Sequence, residues 1–187
     1  MKFDTICVQG AHNPAGNRNT PPVPIYQTTA FSFDSVQYAA DLFDLKASGD
    51  IYTRLSNPTT NTLEERLAML EGGVGALAVS SGQSASLIAV LNIVKSGDEI
   101  VASTNMYGGT VNLMNVTLRK MGIETKFVSS DKAEDFEAQI TDKTRCIFVE
   151  MLNNPSLKIA DVENIAKVAH AHNIPLIVDN TITTPYL

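Results

Sequence analysis

The chain has 187 residues, 44% hydrophobic and 18% charged, with a formal net charge of -6. That composition excludes a disordered chain, and the acidic balance argues against a nucleic-acid surface while leaving room for a small anion. No stretch approaches the roughly 18 apolar residues of a membrane span, and Met1-Lys2-Phe3-Asp4-Thr5 lacks the apolar core of a signal peptide, so a cytoplasmic location is expected.

Residues 1–58 contain Pro14, Pro21, Pro22, Pro24 and Pro58 and show little periodicity. They read as an extended N-terminal arm that packs on a neighbouring subunit, with one short helix around Ser35–Ala47. Residues 59–187 read as the first part of a major domain. Asn57 or Thr59 can cap a helix, and Pro58 suits its first turn. Leu63, Leu67 and Leu70 recur at helical spacing until Gly72-Gly73. Ala76–Ser80 is a short apolar run and is predicted to be a buried strand. A helix follows with Leu87, Val90, Leu91 and Val94 on one face. Strands are then expected at Glu99–Ser103, Glu124–Val128, Arg145–Glu150 and Ile174–Asp179. The helices between them are placed near Thr110–Met121 and Lys132–Ile140, and over a stretch with Val162, Ile165, Ala166 and Ala169 inward. Apolar strands alternating with helices imply an α/β fold, a mostly parallel sheet with helices on both faces.

In such sheets ligands sit beyond the carboxyl ends of the strands. That rule selects Ser80–Ser84, the stretch Asn105–Gly109, Glu150 with Asn153–Pro155, and Asp179-Asn180-Thr181. The first is a small-residue turn opening a helix. It suits an anion at a helix N-terminus, and equally a plain serine-capped turn. A dinucleotide fingerprint should follow the first strand, whereas Gly72, Gly73 and Gly75 precede it. A P-loop is excluded by the lack of Gly-Lys-Ser/Thr. Asp179 at a strand tip needs a cation, a donor or a metal, or else serves as a cap; a protonated pyridine nitrogen would suit it. Tyr107 could stack on a flat ring or be a half-buried loop residue. Cys7 and Cys146 form no C-x-x-C pair and the histidines show no ligand spacing, so no metal site is expected.

Together these segments resemble the Cys/Met-metabolism family of pyridoxal-phosphate (PLP) enzymes, of the fold type I, aspartate aminotransferase-like architecture. The likeness rests on Tyr52-Thr53-Arg54 with Asn57-Pro58-Thr59, on Ser80-Ser81-Gly82-Gln83-Ser84-Ala85, on Tyr107-Gly108-Gly109-Thr110 and on Val178-Asp179-Asn180-Thr181. The resemblance implies that Gly82 and Gln83 give backbone N–H groups to the PLP phosphate. Tyr52 and Arg54 would reach the phosphate of a neighbouring subunit, and Tyr107 would stack on the ring. Asp179 would keep the pyridine nitrogen protonated, and Asn154 would lie near the 3-hydroxyl. Ser81 and Thr181 join the cofactor-binding set, and Tyr107 and Tyr52 are the candidate catalytic residues. Met151 departs from the small or hydroxyl residue usual after the glutamate.

Within the family, Pro24–Thr29, Gln83 and Thr184–Leu187 are most similar to the O-acetylhomoserine sulfhydrylases. That implies γ-replacement on O-acetylhomoserine by sulfide or methanethiol, giving homocysteine or methionine, in a homo-oligomer that is a dimer of dimers. Methionine γ-lyases usually carry cysteine at the position of Gly109, and cystathionine γ-synthases usually carry methionine at the position of Gln83. A γ-lyase or γ-synthase is the alternative enzyme, and a non-catalytic PLP-binding or assembly fragment is the alternative outside catalysis. The family's cofactor-bearing lysine lies in a Ser-x-x-Lys-like segment past the aspartate strand. None of the nine lysines suits that role. The chain is therefore expected to be an N-terminal piece, inactive alone.

Overall fold

The computed structural model describes residues 1–187, which form two compact units, Met1–Ala78 and Val79–Leu187. In the first unit lie helices α1 (Phe3–Gln9), α2 (Val36–Phe43) and α3 (Pro58–Glu71), with a 3₁₀ turn at Pro14–Asn17. Helix α1 falls where the sequence shows no clear period; Arg66 of α3 ties it down, donating from Nε to Gly10 O at 2.8 Å and from Nη1 to Cys7 O at 3.3 Å. Asn57 caps α3 by accepting from Thr59 N at 2.9 Å, and Gly72 ends it with φ of 65°. Only glycine adopts that left-handed turn without strain.

The predicted strand Ala76–Ser80 does not form; the segment lies outside any sheet. An apolar run becomes a strand only where a neighbour offers a ladder. Here the Ala78 N–H donates to the Glu64 side chain at 2.7 Å instead, and Leu77 is 69% exposed.

The second unit opens with α4 (Gly82–Leu91). Four parallel strands follow, β1 (Glu99–Ser103), β2 (Glu124–Val128), β3 (Thr144–Glu150) and β4 (Leu176–Asp179), in the order β2-β1-β3-β4. Between them lie α5 (Gly108–Asn112), a π-helical stretch (Leu113–Leu118), the short α6 (Ala133–Glu137) and α7 (Val162–Ala171). The alternating side chains of each strand separate into two cores. Ile100, Ala102, Cys146 and Phe148 pack with Val90 of α4 and with Met114 and Leu118 of the π stretch. Val101, Ile147 and Val149 pack with Phe136 of α6 and with Ile165 and Ala169 of α7. Helices thus cover both faces, which is why β1 and most of β3 are buried along their length. Each fully buried side chain of this kind contributes about 1.5–3 kcal/mol. No helix is long and apolar enough to cross a membrane.

Candidate active site

The strand ends β1, β3 and β4 and the start of α4 surround one cavity of about 380 Å³. Its lining is Ser81, Gly82, Gln83, Tyr107, Glu150, Asn154, Asp179, Thr181 and Ile182. The volume lies in the range of small-molecule sites, roughly 300–1,000 Å³. Seven of the nine residues singled out from the sequence therefore share one cavity. The other two, Tyr52 and Arg54, belong to the first unit. There the Arg54 guanidinium lies 5.7 Å from the centre of the Tyr52 ring. Their loop is held by Thr53, whose N–H donates to Thr29 O at 2.8 Å, and by the buried Asn57, whose Nδ2 donates to Thr53 Oγ1 at 3.1 Å and to Tyr26 O at 2.9 Å.

At the start of α4, Ser81 caps the helix by accepting from Ser84 N at 3.1 Å, and Ser81 O accepts from Ala85 N at 3.0 Å. The N–H groups of Gly82 and Gln83 are left without intrahelical acceptors, at the positive end of the helix dipole. A Cβ built on Gly82 would meet nothing within 4 Å, so the space beside it is open. The Gln83 side chain turns to the buried Thr110, donating from Nε2 to Oγ1 at 3.0 Å, and ties α4 to α5.

Tyr107 caps α5, with its ring about half exposed. Its N–H donates to Glu150 Oε2 at 2.6 Å. The ring leans over Gly109, where a Cβ would come within 2.4 Å of Cε1.

Asp179 ends β4 in register with Glu150 at the end of β3. Its Oδ1 accepts from the Thr181 N–H at 3.1 Å and from the Thr181 hydroxyl at 2.5 Å, and the hydrogen bonds of the structure leave Oδ2 free. Glu150 is only 5% exposed. Burial pushes its carboxyl above the ordinary glutamate value; the Tyr107 and Asn154 N–H groups pull it down, and the Asp179 charge pushes it up. Glu150 was visible in the sequence as a strand-end acid, but nothing there distinguished it from a cap.

Asn154 follows β3 in a loop built by the buried Asn153. The Asn153 side chain accepts from Ser156 Oγ and, at 3.3 Å, from Lys158 N.

Two free N–H groups at a helix start, an open approach at Gly82, an aromatic ring and an unshared carboxylate oxygen fit a phosphate-bearing pyridine. They suit its anionic end, its flat face and its protonated nitrogen.

Comparison with known proteins points to the same cofactor. The chain is 48% identical over 187 residues to an O-acetyl-L-homoserine sulfhydrylase of Leptospira meyeri, covering 100% of this chain and 42% of that protein. It is 42% identical over 181 residues to a homocysteine/cysteine synthase of Saccharomyces cerevisiae, covering 96% of this chain and 41% of the relative. A crystal structure from Campylobacter jejuni, described as an O-acetylhomoserine (thiol)-lyase carrying a pyridoxyl-lysine monophosphate, superposes with a TM-score of 0.95 at 41% identity. It is matched over 100% of this chain and 46% of its own. The chain thus spans less than half the length of these relatives. The profile of the Cys/Met metabolism PLP-dependent enzymes matches residues 4–187, which is nearly every residue described above, and the chain belongs to that family.

Proposed function

We propose that the complete protein carries out a PLP-dependent γ-replacement on O-acetylhomoserine, with sulfide or methanethiol taking the place of acetate to yield homocysteine or methionine. The observation that carries this reading is the 48% identity to a sulfhydrylase across the whole chain. In it, the N–H groups of Gly82 and Gln83 bind the cofactor phosphate beside the Ser81 cap. Asp179, oriented by Thr181, faces the pyridine nitrogen with its free Oδ2. Tyr107 lies against the ring, and Asn154 serves the 3-hydroxyl. Tyr52 and Arg54 reach the phosphate of a neighbouring subunit, where the guanidinium makes a charge-assisted contact. The bound cofactor supplies an electron sink for charge developing on the substrate, and a carboxylate at its ring nitrogen strengthens that sink.

Gly109 stands where methionine γ-lyases usually carry cysteine, which favours replacement over γ-elimination. In this reading the protein is cytoplasmic and a dimer of dimers, with residues 1–58 packing on a neighbour. Ile25, Val36, Phe43 and Leu45 in that segment are all more than half exposed. The test is to supply the complete protein with O-acetylhomoserine and sulfide. Homocysteine and acetate are expected in equal amounts. Release of 2-oxobutanoate and ammonia in their place would establish a lyase.

A further inference from the structure

Glu150 is a carboxylate that the roles above leave unused. It is 5% exposed, lines the cavity and ends β3 beside Asp179. A buried acid next to another acid is unfavourable unless donors hold it. Its shortest bond, 2.6 Å, is to the backbone N–H of Tyr107. That bond matters because of where Tyr107 sits. Helix α5 begins immediately after it, and the Tyr107 side chain makes no cap hydrogen bond. Its carbonyl accepts from Thr110 N at 2.9 Å and from Val111 N at 3.1 Å, inside its own turn. Glu150 therefore joins the β1–α5 turn directly to the end of β3.

We propose that Glu150 is a positioning residue: by gripping the Tyr107 backbone nitrogen it sets where the Tyr107 ring lies against the bound cofactor. The inference rests on reading the cavity as the PLP pocket. It requires an acceptor atom at a fixed reach; the negative charge is incidental. Glu150→Gln keeps an acceptor oxygen at that reach, whereas Glu150→Asp keeps the charge and withdraws the oxygen by one methylene.

The experiment measures equilibrium binding of PLP to the complete apoprotein, with the visible circular dichroism of the bound cofactor as a second readout. The variants are Glu150→Gln, Glu150→Asp, Glu150→Ala, Tyr107→Ala and Tyr107→Ala combined with Glu150→Ala. Glu150→Ala and Glu150→Asp should each weaken binding about tenfold, the scale of one hydrogen bond to a charged group, and should change the dichroic band. Glu150→Gln should stay within about twofold of the parent because its oxygen still accepts. In the Tyr107→Ala background, Glu150→Ala should add less than about twofold, as expected when one residue acts through the other. The proposal is overturned if Glu150→Asp behaves like the parent while Glu150→Gln does not, or if the loss persists undiminished without the Tyr107 ring. Should Glu150→Ala fail to fold, the Asp and Gln pair still decides. A parent protein that binds no PLP would overturn the pocket reading itself.

Discussion

Thr181 donates both its backbone N–H, at 3.1 Å, and its hydroxyl, at 2.5 Å, to the same oxygen of Asp179. The carboxylate is thereby fixed in rotation beside the cavity that both residues line, with no hydrogen bond on its second oxygen. Thr181→Val should remove the hydroxyl bond at nearly constant volume and weaken PLP binding by about fivefold, close to 1 kcal/mol. Thr181→Ser should bind like the parent. Asp179→Asn should cost more, at least about tenfold, because the charged partner is lost. Titration of apoprotein with the cofactor measures all three.

Gly109 lies under the Tyr107 ring, where a Cβ would come 2.4 Å from Cε1. Gly109→Ala should force the ring from its rotamer at a cost of about 0.5–1.5 kcal/mol, a roughly two- to tenfold loss of cofactor affinity. Gly108→Ala is the control, since a Cβ there meets nothing within 4 Å. Equal losses from both substitutions would show that the ring contact is not the cause.

Asn57 joins three segments of the first unit. Its oxygen caps α3 at Thr59, and its amide donates to Tyr26 O and Thr53 Oγ1. Asn57→Ala loses the cap and leaves those acceptors unpaired, so about 1–3 kcal/mol of stability should disappear. Asn57→Asp keeps the cap and should lose less. Urea unfolding followed by far-ultraviolet dichroism gives both values. Release of the Tyr52–Arg54 loop should appear as faster proteolysis there.

Two buried acids should give opposite pH dependences of stability. Glu99 is held below the ordinary glutamate value, first by its hydrogen bond from Lys126 and then by the Thr141 hydroxyl. A depressed acid stabilises the fold above its unfolded value and loses that contribution as pH falls through the folded value. Glu99→Gln should therefore flatten the loss of stability between about pH 5 and about pH 3. Glu150 is raised by burial, so the native state keeps its proton longer than the unfolded chain. Its ionisation removes stability as pH rises from the ordinary value, near pH 4, through the folded one. Glu150→Gln should remove that decline. Urea midpoints across the pH range test both signs.

Much of the second unit was legible in the chain. The strands Glu99–Ser103 and Glu124–Val128 appear at the positions predicted for them. The helix around Ile165 and Ala169 buries the face its spacing indicates. Period and composition act locally, and here local preference agreed with the packing. Ala76–Ser80 shows the limit, because its apolar run found a side-chain acceptor and no ladder. The π-helical turn at Leu113–Leu118 was not legible either, since α and π windings share the same amphipathic residues.

The cavity divides in the same way. The identities of Gly82, Tyr107, Asn154 and Asp179 and their places at element ends follow from the sequence, because strand-end and helix-start rules depend on local pattern. Their convergence does not, and neither does the role of Glu150. Its bond to Tyr107 spans 43 positions of chain and exists only because β1 and β3 lie side by side in the parallel sheet. A carboxylate at a strand end carries no mark of which backbone nitrogen will face it; the register of the sheet makes that choice.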